Sequence, residues 1–167
     1  TLKIVDLNTK AKKIINLPTE FGFTHVCHIK VNDIVYLFSG QYTDGYGIST
    51  NKCYKFDLNS DTLTYLCDSP FKSYCSRANY QDNSIQIMVG CCHDRCTGFH
   101  ELWSYNILNN TWLLIKNINH DLMHTGSITY KDNLYILGGN YDHACCNEPQ
   151  FWNIIKGCIY IQRDEIY

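Results

Sequence analysis

The chain has 167 residues, with 14 Lys+Arg against 16 Asp+Glu and a formal net charge of −2. That near balance gives no broad electrostatic pull toward nucleic acid or an anionic membrane surface. No apolar run is long enough to cross a bilayer as a helix. The opening Thr1-Leu-Lys-Ile-Val-Asp6 lacks the basic-then-apolar order of a secretory signal, and the first residue is not Met, so a processed chain or a piece of a larger one is expected.

Apolar residues make up 45% and aromatics 14% of the chain, enough to build a core without covalent staples. The 10 cysteines are spaced irregularly, and reduced thiols in a cytoplasmic protein are the expectation. Cys27, Cys53, Cys67, Cys75 and Cys158 stand in or beside strand-like segments, where a thiol acts as a small hydrophobe. Cys91, Cys92, Cys96, Cys145 and Cys146 crowd two turn-like segments.

In chain order, the first element is Lys3-Ile-Val-Asp6-Leu-Asn, a short strand running into a polar turn, followed by the strand-like Lys12-Lys-Ile-Ile-Asn-Leu17. Next comes His25-Val-Cys-His-Ile-Lys-Val-Asn-Asp-Ile-Val-Tyr36-Leu-Phe-Ser-Gly40, two apolar runs around an Asn-Asp pair. Asn and Asp tolerate positive φ and bond their own backbone, so this pair reads as a tight hairpin turn. Tyr54-Lys-Phe-Asp57-Leu-Asn and Thr62-Leu-Thr-Tyr-Leu66 then repeat the strand, turn, strand order of the opening residues.

The series recurs. Cys75 to Gly90 carries its turn at Asp82-Asn83, and His124 to Gly139 carries its turn at Asp132-Asn133. Gly40, Gly90 and Gly139 are 50 and 49 residues apart. Trp103-Ser-Tyr-Asn106 and Thr111-Trp-Leu-Leu-Ile115 complete the second copy, with Asp6, Asp57 and Asn106 spaced by 51 and 49. Each period thus holds four short strands, with no competing helical periodicity.

Four strands in a period of about fifty residues are the mark of a propeller blade, and here the sequence resembles the kelch-repeat family. The family's positions fall at His25, Tyr36, Ser39-Gly40, Phe56-Asp57 and Leu63 in the first full copy. In the second they fall at Cys75, Gln86, Val89-Gly90, Tyr105-Asn106 and Trp112; in the third at His124, Tyr135 and Gly138-Gly139, fading at Ile154-Ile155. The resemblance implies an all-β chain of kelch-type β-propeller blades, each a four-stranded antiparallel sheet. Residues 1–20 would close an upstream blade, 21–68 and 69–117 would be full blades, 118–155 a partial blade and 156–167 an atypical tail. Closed propellers have about four to eight blades, so the expected ring is incomplete, to be finished by further blades, by self-association or by a partner. Leu63, smaller than the Trp112 it corresponds to, implies a looser contact between blades.

By the same resemblance, the expected function is non-enzymatic binding of a partner protein through propeller loops near 41–52, 91–101 and 140–150. In relatives joined to a BTB or F-box domain, that role is substrate recognition for a ubiquitin ligase. Tyr42, Tyr46, His93, Arg95, Tyr141 and His143 are the candidate contact residues, since aromatic and multivalent polar tips suit recognition loops. No cofactor is expected, and no G-x-x-x-x-G-K-[ST], H-E-x-x-H or G-x-S-x-G pattern occurs. Cys92, Cys96, His100, His143 and Cys145 could supply a zinc site, but their spacing matches no paired C-x2-C signature, so no metal is expected. His25, His124, Asp6 and Asp57 read as repeat-determined structural positions. The alternatives are a truncated remnant without independent activity and a metal-binding enzyme of the same fold.

Overall fold

The computed structural model describes residues 2–15, 23–42, 48–90, 101–117, 126–130, 133–137, 140–141, 153–154 and 158–161. Within these residues there is no helix; the strands are β1 (Leu2–Val5), β2 (Lys12–Ile15), β3 (Phe23–Thr24), β4 (Cys27–Val31), β5 (Ile34–Tyr42), β6 (Ser49–Asp57), β7 (Thr62–Asp68), β8 (Arg77–Gln81), β9 (Ser84–Met88), β10 (Glu101–Asn106), β11 (Thr111–Asn117), β12 (Gly126–Tyr130), β13 (Asn133–Leu137), β14 (Asn140–Tyr141), β15 (Asn153–Ile154) and β16 (Cys158–Ile161). Every pairing is antiparallel. The expectation of an all-β chain built on antiparallel four-stranded sheets is met.

Strands β8 to β11 form one sheet in chain order. The sheet before it runs β4-β5-β6-β7, with β3 continuing the edge beyond β4 by pairing Phe23 with Tyr42 and Thr24 with Gln41. β1 and β2 form a hairpin, β12, β13 and β16 a three-stranded sheet, and β14 and β15 a short pair. The first two inner hairpins share a register, with Val31 facing Ile34 and Ile34 facing Asp57, and Gln81 facing Ser84 and Ser84 facing Asn106. In the last sheet Asn133, read from sequence as a turn residue, instead opens β13 opposite Tyr130, and Leu134 faces Ile161. Residues 158–161, read from sequence as part of a tail, therefore supply the third strand of that sheet. Within Cys158–Ile161 no Asp or Asn marks the strand, which is why the pattern fades to the eye.

The inner turns form because Asn32, Asp82 and Asn83 adopt φ of 52°, 50° and 59°, the left-handed region these residues tolerate best among non-glycines. The outer turns are built by side chains. Asp6 Oδ1 accepts from the N–H groups of Asn8 and Thr9 (2.8 and 2.7 Å). Asp57 Oδ1 accepts from Asn59 and Ser60 (2.8 and 3.2 Å), and Asn106 Oδ1 from Leu108 and Asn109 (2.9 and 3.3 Å). Four residues on, Lys10, Asp61 and Asn110 take φ of 61°, 55° and 57°. The residue after each third strand also ties back to the inner turn, Leu58 N–H to Asp33 O at 2.9 Å and Ile107 N–H to Asn83 O at 3.1 Å.

Burial repeats as faithfully as hydrogen bonding. Lys52–Asp57 and Glu101–Asn106 show the same alternation of buried and half-buried positions, as do all seven positions of β7 and β11. Both sheets carry a bulge at the same place, between Cys53 and Tyr54 and between Leu102 and Trp103. The core is filled by Phe38, Cys53, Phe56, Ile85, Ile87, Met88, Leu102 and Tyr105, all essentially inaccessible.

Neighbouring sheets meet through their first strands, β4 against β8 and β8 against β12, with Asn79 Nδ2 donating to Ser127 Oγ at 2.9 Å. Trp112 of β11 reaches across to the preceding sheet. Its ring lies 5.7 Å from Phe38, 5.4 Å from Phe71 and 4.9 Å from Tyr105. Leu63, its counterpart in β7, is half-buried. At the hairpin end, Lys13 and Asp61 form an ion pair between β2 and the outer turn of the next sheet, and Asn110 Nδ2 donates to Leu66 O at 3.3 Å one unit on.

Gly90 is fixed by a close approach. A Cβ there would sit 2.2 Å from Tyr74 O, whereas Gly40 is required by its φ of 118°. Gly90→Ala should therefore lower stability by about 1–3 kcal/mol, through displacement of the backbone at Tyr74. Trp112→Ala should cost about 3 kcal/mol, because the emptied space lies between two sheets whose backbones are held by their own ladders. Urea unfolding of the two variants against the parent checks both values; a change within about 0.5 kcal/mol for Trp112→Ala would mean that the aromatic contact adds little to the sheet–sheet junction.

Candidate functional site

The outer turns lie at one end of the sheets and the connections of uneven length, 43–48 and 89–100, at the other. The second end is the one expected to bind a partner. Its described framework is tied together by backbone hydrogen bonds. Tyr42, half-buried at the end of β5, donates its N–H to Ile48 O at 3.0 Å, and Ile48 itself is exposed. The segment joining the two sheets, 69–76, is clamped by its neighbours. Gly40 N–H donates to Ser73 O at 2.8 Å, and Cys75 N–H to His25 O at 3.3 Å.

Buried hydroxyls complete this clamp. Ser69 Oγ donates to Phe71 O at 2.5 Å and lies 3.3 Å from Ser39 Oγ. Ser73 Oγ and Ser76 Oγ are 2.7 Å apart, and Gly90 N–H donates to Ser76 Oγ at 2.8 Å. Such groups satisfy buried backbone where no ladder is available. Ser49 Oγ, at the start of β6, is buried without a hydrogen-bond partner among the described residues.

Of the residues selected from sequence, Tyr42 and Tyr141 fall in described strands, Tyr141 in β14 opposite Asn153. Tyr46, His93, Arg95 and His143 lie outside the described residues, as do the zinc candidates Cys92, Cys96, His100 and Cys145. Among the described residues, no group of three or more His, Cys, Asp or Glu could hold a metal ion. No helix there is long and apolar enough to cross a membrane. His25 is exposed with φ of 54°, and Cys75, its counterpart, has φ of 58°. What recurs at this position is a backbone conformation; the imidazole meets the Tyr74 ring edge-on at 6.3 Å. Asp6 and Asp57 are turn builders, as expected.

Two arrangements were missed. On the outer face of β6 and β7, Lys52 Nζ donates to both carboxylate oxygens of Asp68 (2.7 and 2.9 Å), and Tyr65 O–H donates to Asp68 Oδ1 at 2.7 Å. The Lys52 ammonium also lies 5.6 Å from the Tyr65 ring centroid. The hydrogen bond from Lys52, then that from Tyr65, lowers the Asp68 pKa. Exposed pairs of this kind contribute little to stability.

The second is a pair of thiols. Cys53 on β6 faces Cys67 on β7 directly across the ladder, and Cys53 is fully buried while Cys67 is half-buried. The indole N–H of Trp112 donates to Cys67 Sγ at 3.4 Å. Hydrogen bonding from Cys53, against the cost of burial and helped by Trp112, lowers the Cys67 pKa to about 6. The same bond, and then burial, raises that of Cys53. By contrast, burial, opposed by the nearby Arg77 charge, pushes Cys27 up to about 12.

The turn carboxylates give a pH test. Backbone bonds from Asn59 and Ser60 lower the Asp57 pKa below its ordinary 3.8. The contribution of this turn is thus fully present above pH 3.8 and is lost as pH falls through the lower, folded value. Asn106 builds the same turn without a titrating group, so Asp57→Asn should keep the fold at neutral pH and flatten this part of the acid loss. Urea midpoints between pH 5 and pH 2, for parent and variant, read the difference; parallel curves would remove Asp57 from the acid response.

No protein-family model matches the chain, and no curated protein matches it.

Proposed function

We propose that the chain is a run of kelch-type propeller blades that binds a partner protein through the loops at the end bearing Tyr42, with no catalytic role. The observation that carries this reading is the contrast between the two ends of otherwise matching sheets. At one end, Asp57 and Asn106 hold outer turns of the same length by the same two backbone bonds. At the other, the connection between second and third strands spans 43–48 in one sheet and 89–100 in the next, with unrelated sequences. Conserving a scaffold while varying the loops on one side is how a rigid repeat presents a recognition surface.

The clamp of Ser39, Ser69, Ser73 and Ser76 supports this reading, because it fixes the bases of these loops. Fixed loop bases reduce the ordering cost of binding. Tyr42, Tyr46, His93, Arg95, Tyr141 and His143 are the contact residues of this proposal. A cytoplasmic setting, completion of the ring by further blades or a second copy, and recruitment to a ubiquitin ligase by an adaptor domain belong to the same reading.

The test is affinity capture from cells expressing the full chain, followed by binding measurements with the recovered protein. Tyr42→Ala/Tyr46→Ala and His93→Ala/Arg95→Ala should each weaken binding by about tenfold or more. Asn59→Ala and Leu108→Ala, at the opposite end, should leave it within about twofold. Equal affinity for all four variants would overturn the placement of the surface.

A further inference from the structure

We propose that Cys53 and Cys67 are a redox-active dithiol, oxidised by hydroperoxides to a disulfide across the β6–β7 ladder. Directly opposed residues in an antiparallel pair have Cα atoms about 4.5–5.5 Å apart, inside the window of about 4.4–6.8 Å that a disulfide spans. Cys53 and Cys67 are such a pair. Nothing in the repeat demands thiols there: the equivalent pair one sheet on is Leu102 and Lys116. A hydrophobe at the Cys53 place and a solvent-reaching side chain at the Cys67 place satisfy the same fold.

The two positions divide the chemistry. Cys67 is the half-buried member, so oxidant reaches it, and its sulfur takes the Trp112 N–H. Cys53 is fully buried behind it and reacts only with a group already held at Cys67. The Cys67 thiolate attacks one peroxide oxygen, the O–O bond breaks, and sulfenic acid forms with release of hydroxide, or of alkoxide from an organic peroxide. The Cys53 sulfur, giving up its proton, then displaces the sulfenic oxygen, which leaves as water. The net change is two thiols and one hydrogen peroxide to one disulfide and two waters. The lowered Cys67 pKa supplies the nucleophilic thiolate near neutral pH.

The pair sits beneath the junction of two sheets. Trp112 donates to Cys67 and packs on Phe38, the residue facing Cys53 on its other side. Forming the disulfide rotates both sulfurs toward each other and withdraws charge from the acceptor of the indole N–H. Trp112 emission therefore reports the oxidation.

The experiment treats the full-length, reduced chain with stoichiometric hydrogen peroxide, blocks remaining thiols and maps the non-reduced digest. The expected product is a peptide joining the Cys53 and Cys67 segments, lost on reduction, accompanied by a change in tryptophan emission. Cys53→Ser should stop at a Cys67 sulfenic acid that a 1,3-diketone traps. In Cys67→Ser, Cys53 should remain unmodified and emission unchanged. Should Cys53→Ser fail to fold, alkylation of the parent decides in its place: Cys67 should react at least about tenfold faster than Cys27 at pH 7, with its midpoint below the ordinary thiol value of about 8.5. Cys67 left as a thiol while other cysteines oxidise, or joined to a cysteine other than Cys53, overturns the proposal.

Discussion

The structure depends on a carboxylate or amide oxygen placed at the head of each described outer turn. Asp6, Asp57 and Asn106 each accept two backbone N–H groups from the residues that follow. That closes the chain into a turn of fixed length and sends it back as the next strand, β2, β7 or β11. Fixing the turn fixes the register of the outer hairpin, and a slip of one residue would invert every side chain beyond it. Trp112 points into the junction, and Leu113 into solvent, because Asn106 sets Thr111 opposite itself.

Register alone does not hold such sheets together. A twisted four-stranded sheet has two faces, and an isolated one has no partner for either. Here the partner is the next sheet. Phe38, Tyr105 and Trp112 meet at ring distances of 4.9 to 5.7 Å, with Tyr36 stacked on Phe38 at 6.3 Å. Aromatic contacts of this kind are worth about 0.5–1.5 kcal/mol each beyond the area they bury. Trp112 is donor as well as filler, so this aromatic junction is directly exposed to a change at Cys67.

How far this was legible in the sequence follows from which features are local. The first two inner turns, the outer turns and the period could be read because each depends on a residue and its immediate neighbours: Asn32, Asp57 and Asn106 act within four positions of themselves. The place of Trp112 between two sheets was legible for the same reason, since a repeat copies position along with composition. The third strand of the last sheet was not, because Cys158–Ile161 carries no Asp or Asn to signal it, and only backbone pairing with β13 reveals its role. The third inner turn was read one residue late, since Asn133 already pairs with Tyr130. His93, Arg95 and His143 lie outside the described residues, and a repeat pattern carries no signal for loop residues that differ from copy to copy.

The thiol pair shows most plainly where reading by spacing fails. Counting back from the outer turn, where Asp57 faces Thr62, an unbroken ladder would set Leu66 opposite Cys53. The bulge between Cys53 and Tyr54 adds one residue to the β7 side and brings Cys67 there instead. The same bulge in β10 and β11 brings Lys116 opposite Leu102, so the repeat makes the geometry and this one sheet supplies the sulfur. Because Cys67 also accepts from Trp112, the oxidation state of the pair and the fit of the two sheets are linked. Whatever change oxidation makes in the stability of the junction, tightening or loosening the junction must make in the tendency to oxidise. A partner seated on the loops of the proposed surface would act on the same linkage through Ser69, whose hydroxyl ties the end of β7 to Asn51 and Phe71.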